Sequence, residues 1–458
     1  MSKLYQKEDT IVALATPAGT GAIGVIRLSG KQAIAMADQV FSGKSLSKQK
    51  SHTIHHGWIK DEDEILDEVL VSLFKGPTSY TKEDVVEISC HGSVYVIKSI
   101  IRLLISKGAR LAKAGEFTQR AFLHGQMDLV QAEAVADLIA SESAAAHQAA
   151  VNQMRGGISK EIRRLREELI HFASMIELEL DFSEEDVEFA SRDDLKKLVN
   201  NLLAVIAPLI ESFQWGNAIK NGIPTVIAGR PNVGKSTLLN ALLNEEKAIV
   251  SEIPGTTRDF IEDEMVLEGI PFRFIDTAGL RDTEDTIEAL GIARTKEKME
   301  QASLILYLFD LSQTTQEEID ADREQLKELR IPFLQIGNKK DLAPDDLLDR
   351  FENRKEVMLI SALKKENLDQ LKARLLEVVQ PDDFKTGETM VTNLRHFQSL
   401  QATKKALDDV IAALDKGRTG DLLALDIRQA LHHLGEITGE ITTEDLLDNI
   451  FSKFCIGK

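Results

Sequence analysis

Cysteine is scarce in this chain. Two residues, Cys90 and Cys455, are the only cysteines among 458, so the sequence offers no disulfide framework and fits a reducing cytoplasm. The first residues, MSKLYQKEDT, lack the shape of a signal peptide, and no run approaches the roughly 18 apolar residues of a membrane span. We therefore expect a cytoplasmic protein with no membrane contact.

Positive charge is also in deficit. Lysine and arginine number 55 against 74 aspartates and glutamates, which gives a net charge of −19. This balance argues against a broad nucleic-acid-binding face on the chain alone, although a local basic strip or a basic partner stays open. The length corresponds to about three ordinary domains, and the 43% hydrophobic content can build their cores.

A glycine-rich stretch near the start, residues 19–24, spells G-x-G-x-x-G. A dinucleotide fingerprint needs a strand before the glycines, a helix that opens on them and an acidic residue about 20 positions later. Here residues 25–28 read as a second strand, and position 44 is a lysine. The stretch therefore predicts a turn between two strands rather than a dinucleotide site.

The chain changes character along its length. Short strand-like runs with one helix come first, which is an α+β pattern. Two helical segments, in which residues such as Ile162, Leu165 and Leu169 form an apolar stripe, flank a doubly wound α/β pattern. We therefore predict a multidomain protein in which the α/β domain is inserted into one all-α domain that is split in sequence. The predicted domains, in chain order, are residues 1–122 (α+β), 123–220 (helical), 221–381 (α/β) and 382–458 (helical).

The α/β segment contains GRPNVGKS at residues 229–236, which fits G-x-x-x-x-G-K-[ST] between a strand and a helix. Gly229 and Gly234 let backbone N–H groups wrap phosphates at a helix N-terminus. Lys235 would reach the β- and γ-phosphates, and Ser236 would offer its hydroxyl to Mg²⁺. This pattern, in this context, predicts a P-loop.

Two later motifs decide between ATP and GTP. A strand leads into Asn338-Lys339-x-Asp341, and another leads into residues 361–363 (SAL). An aspartate accepts hydrogen bonds from the ring N–H and the amine of guanine, whereas adenine lacks these donors and would leave the carboxylate unpaired. Together with the P-loop, these motifs predict a guanine nucleotide.

Residues 276–279 (DTAG) follow a further strand, where Asp276 is placed to hold the Mg²⁺ shell and the Gly279 N–H to sense the γ-phosphate. Residues 251–257 supply threonines for a loop that orders on the same groups. The segment is thus predicted to be a GTPase domain. Its predicted GTP-binding residues are Asn232, Val233, Gly234, Lys235, Ser236, Thr237, Ser251, Glu252, Ile253, Pro254, Gly255, Thr256, Thr257, Asp276, Thr277, Ala278, Gly279, Asn338, Lys339, Asp341, Ser361, Ala362 and Leu363.

The position after DTAG differs from that of small signalling GTPases. A glutamine there orients the attacking water, but this chain has Leu280, which cannot. Arg230 and Arg258 are near the motifs in sequence, and each reads as an exposed charge rather than as an arginine finger. Another group must therefore position the water and neutralise the transition state.

Taken together, the chain resembles the MnmE (TrmE) family, the tRNA uridine-modifying GTPases of bacteria and organelles. The resemblance covers the whole chain. It rests on the GTPase insertion, the IPGTTRD loop, and the stretches TIVALATP, GVIRLSG, GEFTQRAFLHGQMDLVQAEAVADLI and FSKFCIGK.

The resemblance implies that K⁺, bound when two GTPase domains meet across their nucleotides, does the electrostatic work of an arginine finger. Glu288 aligns with the family's catalytic carboxylate, although from the residues alone it reads as a solvated acid. The positions that match the family's K⁺ ligands are Asn232, Ser251, Ile253 and Thr256, and those that match its Mg²⁺ ligands are Ser236 and Thr257.

The resemblance also implies that the N-terminal domain forms a homodimer and binds 5-formyl- or methylene-tetrahydrofolate as a one-carbon donor. Arg27, Glu87, Gln126 and Lys458 match the family's folate contacts, although position 126 is often basic in relatives. Residues 445–454 read as an amphipathic helix that carries the tail. Family position places Cys455 near the folate or uridine chemistry, and a packed, unreactive cysteine stays equally open.

A partner protein is implied as well. In the family, MnmG carries FAD and uses NADH, and the two proteins attach a carboxymethylaminomethyl or aminomethyl group to C5 of the wobble uridine in certain tRNAs. The acidic charge of this chain is then unsurprising, because the partner can supply much of the RNA surface. Two alternatives are a ribosome-assembly GTPase, which would usually append basic RNA-binding modules, and a folate-dependent aminomethyl transferase with another acceptor.

Overall fold

The structure is a computed structural model. It describes residues 9–181, 191–244, 263–275, 302–344, 347–348, 351, 354, 356–379, 390–416 and 420–458. Contacts divide the chain into two units. Unit 1 comprises residues 1–139, 152–203 and 399–458, and unit 2 comprises residues 140–151 and 204–398.

Unit 1 begins with a seven-stranded sheet in the order β3-β4-β5-β6-β2-β1-β7. Its strands are β1 Ile11–Leu14, β2 Ile23–Ser29, β3 Phe41–Ser42, β4 Thr53–Asp61, β5 Glu64–Phe74, β6 Val85–His91 and β7 Arg110–Leu111. Neighbours are antiparallel apart from β1 and β7. Alternate residues such as Ile26 and Ile88 face α1 (Ala33–Val40) and α2 (Val94–Ser106) in one apolar core.

The glycine-rich stretch has the predicted form. β1 and β2 pair antiparallel, with Ala13 opposite Arg27. Gly19 and Gly21 lie in the connection, and Gly24 is already part of β2. Because the element after the glycines is a strand rather than a helix, the turn is confirmed and a dinucleotide unit is absent from this stretch.

Helices follow the sheet. They are α3 Glu116–Leu123, α4 Leu129–Ala140, α5 Ala144–Met154, α6 Gly157–Asp181, α7 Arg192–Glu211 and α8 Phe213–Asn221. The predicted stripe of α6 is real, since Ile162, Leu165 and Leu169 are almost fully buried. An apolar stripe of this width stabilises a helix mainly through packing against another element.

Unit 2 contains a six-stranded sheet in the order β13-β12-β11-β8-β10-β9. The strands are β8 Ile223–Gly229, β9 Asp263–Leu267, β10 Ile270–Phe274, β11 Leu304–Asp310, β12 Phe333–Asn338 and β13 Val357–Leu359. All are parallel except β9, which pairs antiparallel with β10 at the edge and which sequence reasoning did not identify as a strand. The helices here are α9 Lys235–Asn244, α10 Gln316–Glu328 and α11 Leu368–Val379.

The last helices are α12 Leu394–Asp415, α13 Gly420–Thr438 and α14 Glu444–Phe451. α13 packs on α6 within unit 1, with Leu423, Ile427 and Leu434 buried. Helices from both sides of the α/β segment therefore share one core. The predicted amphipathic helix 445–454 is α14, which ends earlier, at Phe451.

The segment that leads into the α/β part, around residues 212–216, and the segment that leads out of it, around residues 391–397, lie side by side in unit 2. The Val391 N–H donates to Ser212 Oγ at 3.1 Å, and a Cβ on Gly216 would lie 2.1 Å from the Val391 carbonyl oxygen. The rings of Phe213 and Phe397 stack with centroids 4.2 Å apart. These contacts join the two crossing segments side by side.

One helical stretch, Arg192–Asn221, is long and apolar enough to cross a membrane by length and composition alone. The sequence-based expectation overlooked it because its apolar residues are interrupted by polar ones. Leu195, Val199 and Leu202 on α7 are buried. A core helix passes the same test, so the stretch is weak evidence for a membrane span.

Candidate functional site

The P-loop of unit 2 depends on two glycines. β8 ends at Gly229, where φ is +146° and a Cβ would lie 2.1 Å from the Leu308 carbonyl oxygen. At Gly234 φ is +96°, and a Cβ would lie 2.4 Å from Asn338 Nδ2. Both the conformation and the lack of space therefore require glycine. Their backbone amides lead into the N-terminus of α9, which is a favourable place for phosphate.

Lys235, the first residue of α9, lies over this loop. Its Nζ donates to the carbonyl oxygens of Gly229 at 2.9 Å and Arg230 at 2.8 Å. Burial lowers the pKa of this amine. Val233 is buried, Ser236 is half-buried and the remaining predicted loop residues, Asn232 and Thr237, are exposed.

Asn338 at the end of β12 links the phosphate loop to the base loops. Its side chain is buried, and Nδ2 donates to the Val233 carbonyl oxygen at 2.8 Å. Its Oδ1 accepts from the Ala362 N–H at 3.0 Å. One amide thus fixes the distance between the loop for phosphates and the loops predicted to read guanine.

The predicted base-reading residues lie together at the carboxyl ends of β12 and β13. Asp341 Oδ1 accepts from Ser361 Oγ at 2.7 Å, which orients the carboxylate. Lys339 Nζ lies 2.7 Å from Asp310 Oδ2. Burial alone would raise the pKa of Asp310. The hydrogen bonds that its carboxylate accepts, of which the one from Lys339 has the largest effect, instead lower this pKa below its usual value. Leu363 is largely exposed beside them.

Arg230 of the P-loop is held by α10. Its Nη1 lies 2.7 Å from Glu318 Oε1, and its Nη2 lies 3.8 Å from Asp322 Oδ2. Tyr307 donates to the same Asp322 carboxylate at 2.7 Å. The guanidinium is therefore tied to its own domain, in keeping with the interpretation that it is no arginine finger.

Several predicted residues of this site lie outside the described residues. They are Ser251, Glu252, Ile253, Pro254, Gly255, Thr256, Thr257, Asp276, Thr277, Ala278, Gly279 and Glu288. Their roles stay predictions. Within the described ranges, no group of three or more His, Cys, Asp or Glu side chains could hold a metal ion.

A second cluster of predicted residues lies in unit 1, around Arg27. Arg27 on β2 stands opposite Glu87 on β6. Its Nε and Nη2 lie 2.9 and 2.8 Å from Glu87 Oε1. The guanidinium lies 5.4 Å from the centroid of the Tyr80 ring and 5.7 Å from that of Phe117, within range of cation–π attraction. These contacts fix the arginine in one orientation.

Residues 455–458 complete the Arg27 cluster. The N–H of Gly115 donates to the Cys455 carbonyl oxygen at 3.3 Å, and that of Phe117 donates to Lys458 at 3.2 Å. Arg27 Nη1 donates to the Gly457 carbonyl oxygen at 3.4 Å. The structure thus brings Arg27 and Glu87 together with the segment that ends in Lys458. Burial, and secondarily the charge of Arg27, lowers the pKa of Lys458.

Gln126, the remaining predicted folate contact, lies in a different setting. It lines a cavity of about 400 Å³ in unit 1. The cavity residues that sequence reasoning missed include three with polar side chains that bond to one another or to the cavity wall: Asp128, Gln131 and Arg163. The first two cap α4 reciprocally, since the Asp128 N–H donates to Gln131 Oε1 and the Gln131 N–H to Asp128 Oδ1. Their D-x-x-Q spacing was a readable signal of a capping box.

The two cysteines differ in setting. Cys455 is exposed. Cys90 is buried in the sheet core, and burial together with the nearby Asp67 carboxylate raises the pKa of its thiol to about 11. The interpretation of Cys90 as a core residue is confirmed.

The strand order of unit 2, its P-loop and the base loops joined by Asn338 define a guanine-nucleotide-binding P-loop domain. The family model described as "MnmE helical domain" matches residues 129–455, and that described as "GTP-binding protein TrmE N-terminus" matches residues 10–126.

Curated relatives agree. A protein of Cytophaga hutchinsonii named tRNA modification GTPase MnmE is 63% identical over 98% of this chain and 98% of its own length. Proteins of the same name from Christiangramia forsetii and Flavobacterium psychrophilum are 53% and 54% identical over 98% of this chain and 99% of their own lengths. The G domain of T. maritima FeoB covers 34% of this chain with a TM-score of 0.26, which adds nothing to the assignment.

The chain belongs to the MnmE family. The resemblance noted from the sequence is thereby confirmed. So is the fold class of an α+β N-terminal domain, a discontinuous helical domain and an inserted P-loop GTPase domain.

Proposed function

We propose that this chain hydrolyses GTP and, together with a partner of the MnmG type, modifies C5 of the wobble uridine of certain tRNAs. Family membership supports the tRNA-modifying role. The observation that carries the GTPase role is the Asn338 side chain, which bonds both the P-loop and the 361–363 loop. These two bonds support a phosphate site and a guanine-reading carboxylate, that of Asp341, held in one fixed frame.

The P-loop fits the metal ions that the family implies. Ser236 at the start of α9 would offer its hydroxyl to Mg²⁺, with Thr257 as the second protein ligand. Asn232 is exposed on the loop with φ of +61°, so its amide oxygen is free to face a cation beside the phosphates. It would hold K⁺ with Ser251, Ile253 and Thr256, and the cation would supply positive charge where negative charge develops. Glu288 would orient the attacking water.

The Arg27 cluster fits a folate. Arg27 is held by Glu87 between two aromatic rings, and the amine of Lys458, whose pKa is lowered, lies in the same cluster. Such a cradle suits an anionic ligand with a flat ring system. We propose that it binds 5-formyl- or methylene-tetrahydrofolate, that Cys455 lies near the chemistry, and that FAD and NADH act on the partner. Gln126 lines a separate cavity and is not part of this proposed contact set.

The domain assignment is also part of the proposal. Residues 1–122 would bind folate and form the homodimer, 123–220 and 382–458 would make the helical domain, and 221–381 would be the GTPase domain. The two GTPase domains of a dimer would meet across their nucleotides only with GTP and K⁺.

The K⁺ role predicts a specific kinetic defect. Asn232→Ala should lose most stimulation of GTP hydrolysis by K⁺, because a ligand beside the phosphates is gone. Nucleotide affinity should stay within a few fold, since the contacts of Lys235 and the loop amides remain. GTP turnover in KCl and in NaCl measures the effect, and Asn221→Ala, an exposed asparagine outside the loop, is the matched control. Full K⁺ stimulation of the Asn232→Ala protein would refute the assignment.

The tRNA role is tested by mass spectrometry of tRNA nucleosides from a strain that lacks the gene. Loss of C5-modified wobble uridine, restored by the wild-type gene, supports the proposal. Unchanged nucleosides with defective ribosomal subunits would favour a ribosome-assembly GTPase. A change in another one-carbon product would favour an aminomethyl transferase with a different acceptor.

A further inference from the structure

Near its start, α5 contacts the β9–β10 turn. In unit 2, which includes residues 140–151, a Cβ on Gly269 would lie 2.9 Å from Ala145 Cβ and 3.2 Å from its nitrogen. Glu268 and Gly269 have φ of +46° and +85°, as in the two-residue hairpin turns that match strand twist. The turn is therefore pressed against α5 with no room for a side chain.

The β9–β10 hairpin joins the two stretches predicted to respond to the nucleotide. In sequence, β9 follows residues 251–257, and β10 leads directly into residues 276–279. Segments that contact the γ-phosphate and Mg²⁺ rearrange between GTP and GDP states. β10 is held in the sheet by β8, whereas β9 is the edge strand and pairs with β10 along its whole length. A displacement of β9 at the open end of the hairpin would therefore reach the turn at Gly269.

The end of α5 fixes a wall of the cavity in unit 1, which includes residues 152–203. The Met154 carbonyl oxygen accepts from Gln131 Nε2 at 3.0 Å. Gln131 caps α4 with Asp128, and Asp128 Oδ2 accepts from Arg163 Nη2 at 2.5 Å. Gln131, Asp128 and Arg163 all line the cavity with Gln126. A shift of Met154 would therefore move the polar groups of the cavity.

We infer that α5 couples the nucleotide state of the GTPase domain to the cavity around Gln126. The helix has 11 residues and is about 16 Å long, and a helix of this length transmits an axial displacement as one body. Ala149 and Ala150 in its middle are buried, which holds its path. Coupling of this kind is reciprocal. If bound GTP changes the affinity of the cavity for a ligand by some factor, that ligand must change the affinity for GTP by the same factor. The inference rests on the proposed function for the nucleotide contacts of residues 251–257 and 276–279.

Hydrogen–deuterium exchange on the full chain tests the coupling. With Mg²⁺ and K⁺ present, exchange of residues 125–131 is compared between GDP and a non-hydrolysable GTP analogue. We expect a difference of about fivefold or more, the lower range of measured couplings. Ala145→Leu displaces the hairpin turn, and His147→Gly softens the exposed first turn of the helix. Both should bind nucleotide and lose the difference.

Matched controls separate coupling from general damage. Ala144→Leu adds the same side chain at an exposed neighbour, and His147→Ala removes the imidazole while keeping the helix stiff, so both should keep the difference. An unresponsive wild-type protein, or a full difference in both test variants, would overturn the inference. If Ala145→Leu does not fold, the comparison of His147→Gly with His147→Ala decides. Because no tRNA is present, a failure of the proposed tRNA role leaves this result unaffected.

Discussion

Single side chains set what the nucleotide site can bind. Asp341 is positioned by Ser361, and Asn338 is positioned by both the P-loop and the 361–363 loop. A carboxylate in this frame complements two donors of guanine, and removing that match leaves a donor unpaired.

Asp341→Asn should therefore change base preference. The amide can donate to the C2 carbonyl of xanthine but loses a charged acceptor for guanine, which costs about 1.5–3 kcal/mol, or roughly 10–100-fold in affinity. Competition between GTP and xanthosine triphosphate for a fluorescent nucleotide measures the shift. Asp369→Asn, at an exposed position on α11, is the control, and unchanged GTP affinity of Asp341→Asn would show that this carboxylate does not read the base.

The thiols offer a second residue-scale prediction. The pKa of Cys90 is raised to about 11, so at pH 8 roughly one molecule in a thousand carries its thiolate. Cys455 is exposed. A thiol reagent at pH 8 should label the native protein once, at Cys455. Peptide mass spectrometry identifies the site, and Cys455→Ser should abolish labelling. Fast labelling of Cys90 would contradict its burial.

At the residue scale, local motifs were readable and distant juxtapositions were not. Gly234 and Lys235 follow from a spacing that only a phosphate loop explains. The surroundings of Gln126 could not be predicted, because Arg163 and Gly439 reach the same cavity from other parts of the chain. Such proximity is fixed by helix packing rather than by any local pattern.

At the scale of elements, periodicity predicted which segments are helices and which are strands. The residue at which a helix ends, and the element against which it packs, were known only from the structure. The two-residue periodicity of β1 and β2 predicted strands around the glycine motif at 19–24 rather than a dinucleotide-binding unit, and the structure has those strands. The apolar stripe of α6 also lies where expected. α14 stops at Phe451, earlier than predicted, since amphipathicity does not mark where a helix ends. The contact between α5 and Gly269 had no sequence signal.

The segment after α14 yields an element-scale prediction. Gly457 has φ of +95°, and a Cβ there would lie 2.1 Å from the Leu14 carbonyl oxygen. Gly457→Ala should displace residues 455–458 from β1, at a cost of about 1–3 kcal/mol for the strained backbone alone. Amide exchange of Phe117 should increase and folate affinity should fall, with GTP hydrolysis unchanged. Ile456→Ala, at an exposed neighbouring position, should change neither the amide exchange of Phe117 nor the folate affinity. If both variants change these quantities equally, displacement of residues 455–458 is not the cause.

The whole molecule is built by insertion. Composition alone showed the change from helical to α/β character and back, because buried parallel strands are nearly continuously apolar while the flanking helices carry stripes. Sequence could not show that the crossing segments touch through Ser212, Gly216 and Val391.

These contacts predict that the insertion is dispensable for folding of the rest. A chain in which residues 222–389 are replaced by a short glycine-serine linker should remain helical and unfold cooperatively, since insertions of this kind join at adjacent surface points. Circular dichroism and thermal melting provide the measurement. Loss of a packing surface for Trp215 and Ile219 should lower the melting temperature. A random-coil spectrum would mean that the α/β part is needed to organise the helices.

The contact between Gly457 and Leu14 also sets an order of events during biosynthesis. A ribosome that adds about 5–20 residues per second needs roughly 20–90 s to travel from one residue to the other. During that interval the first sheet can form, but the Arg27 cluster lacks the segment that completes it. The GTPase part is synthesised within the same interval, so a nascent chain can bind nucleotide before the Arg27 cluster is complete.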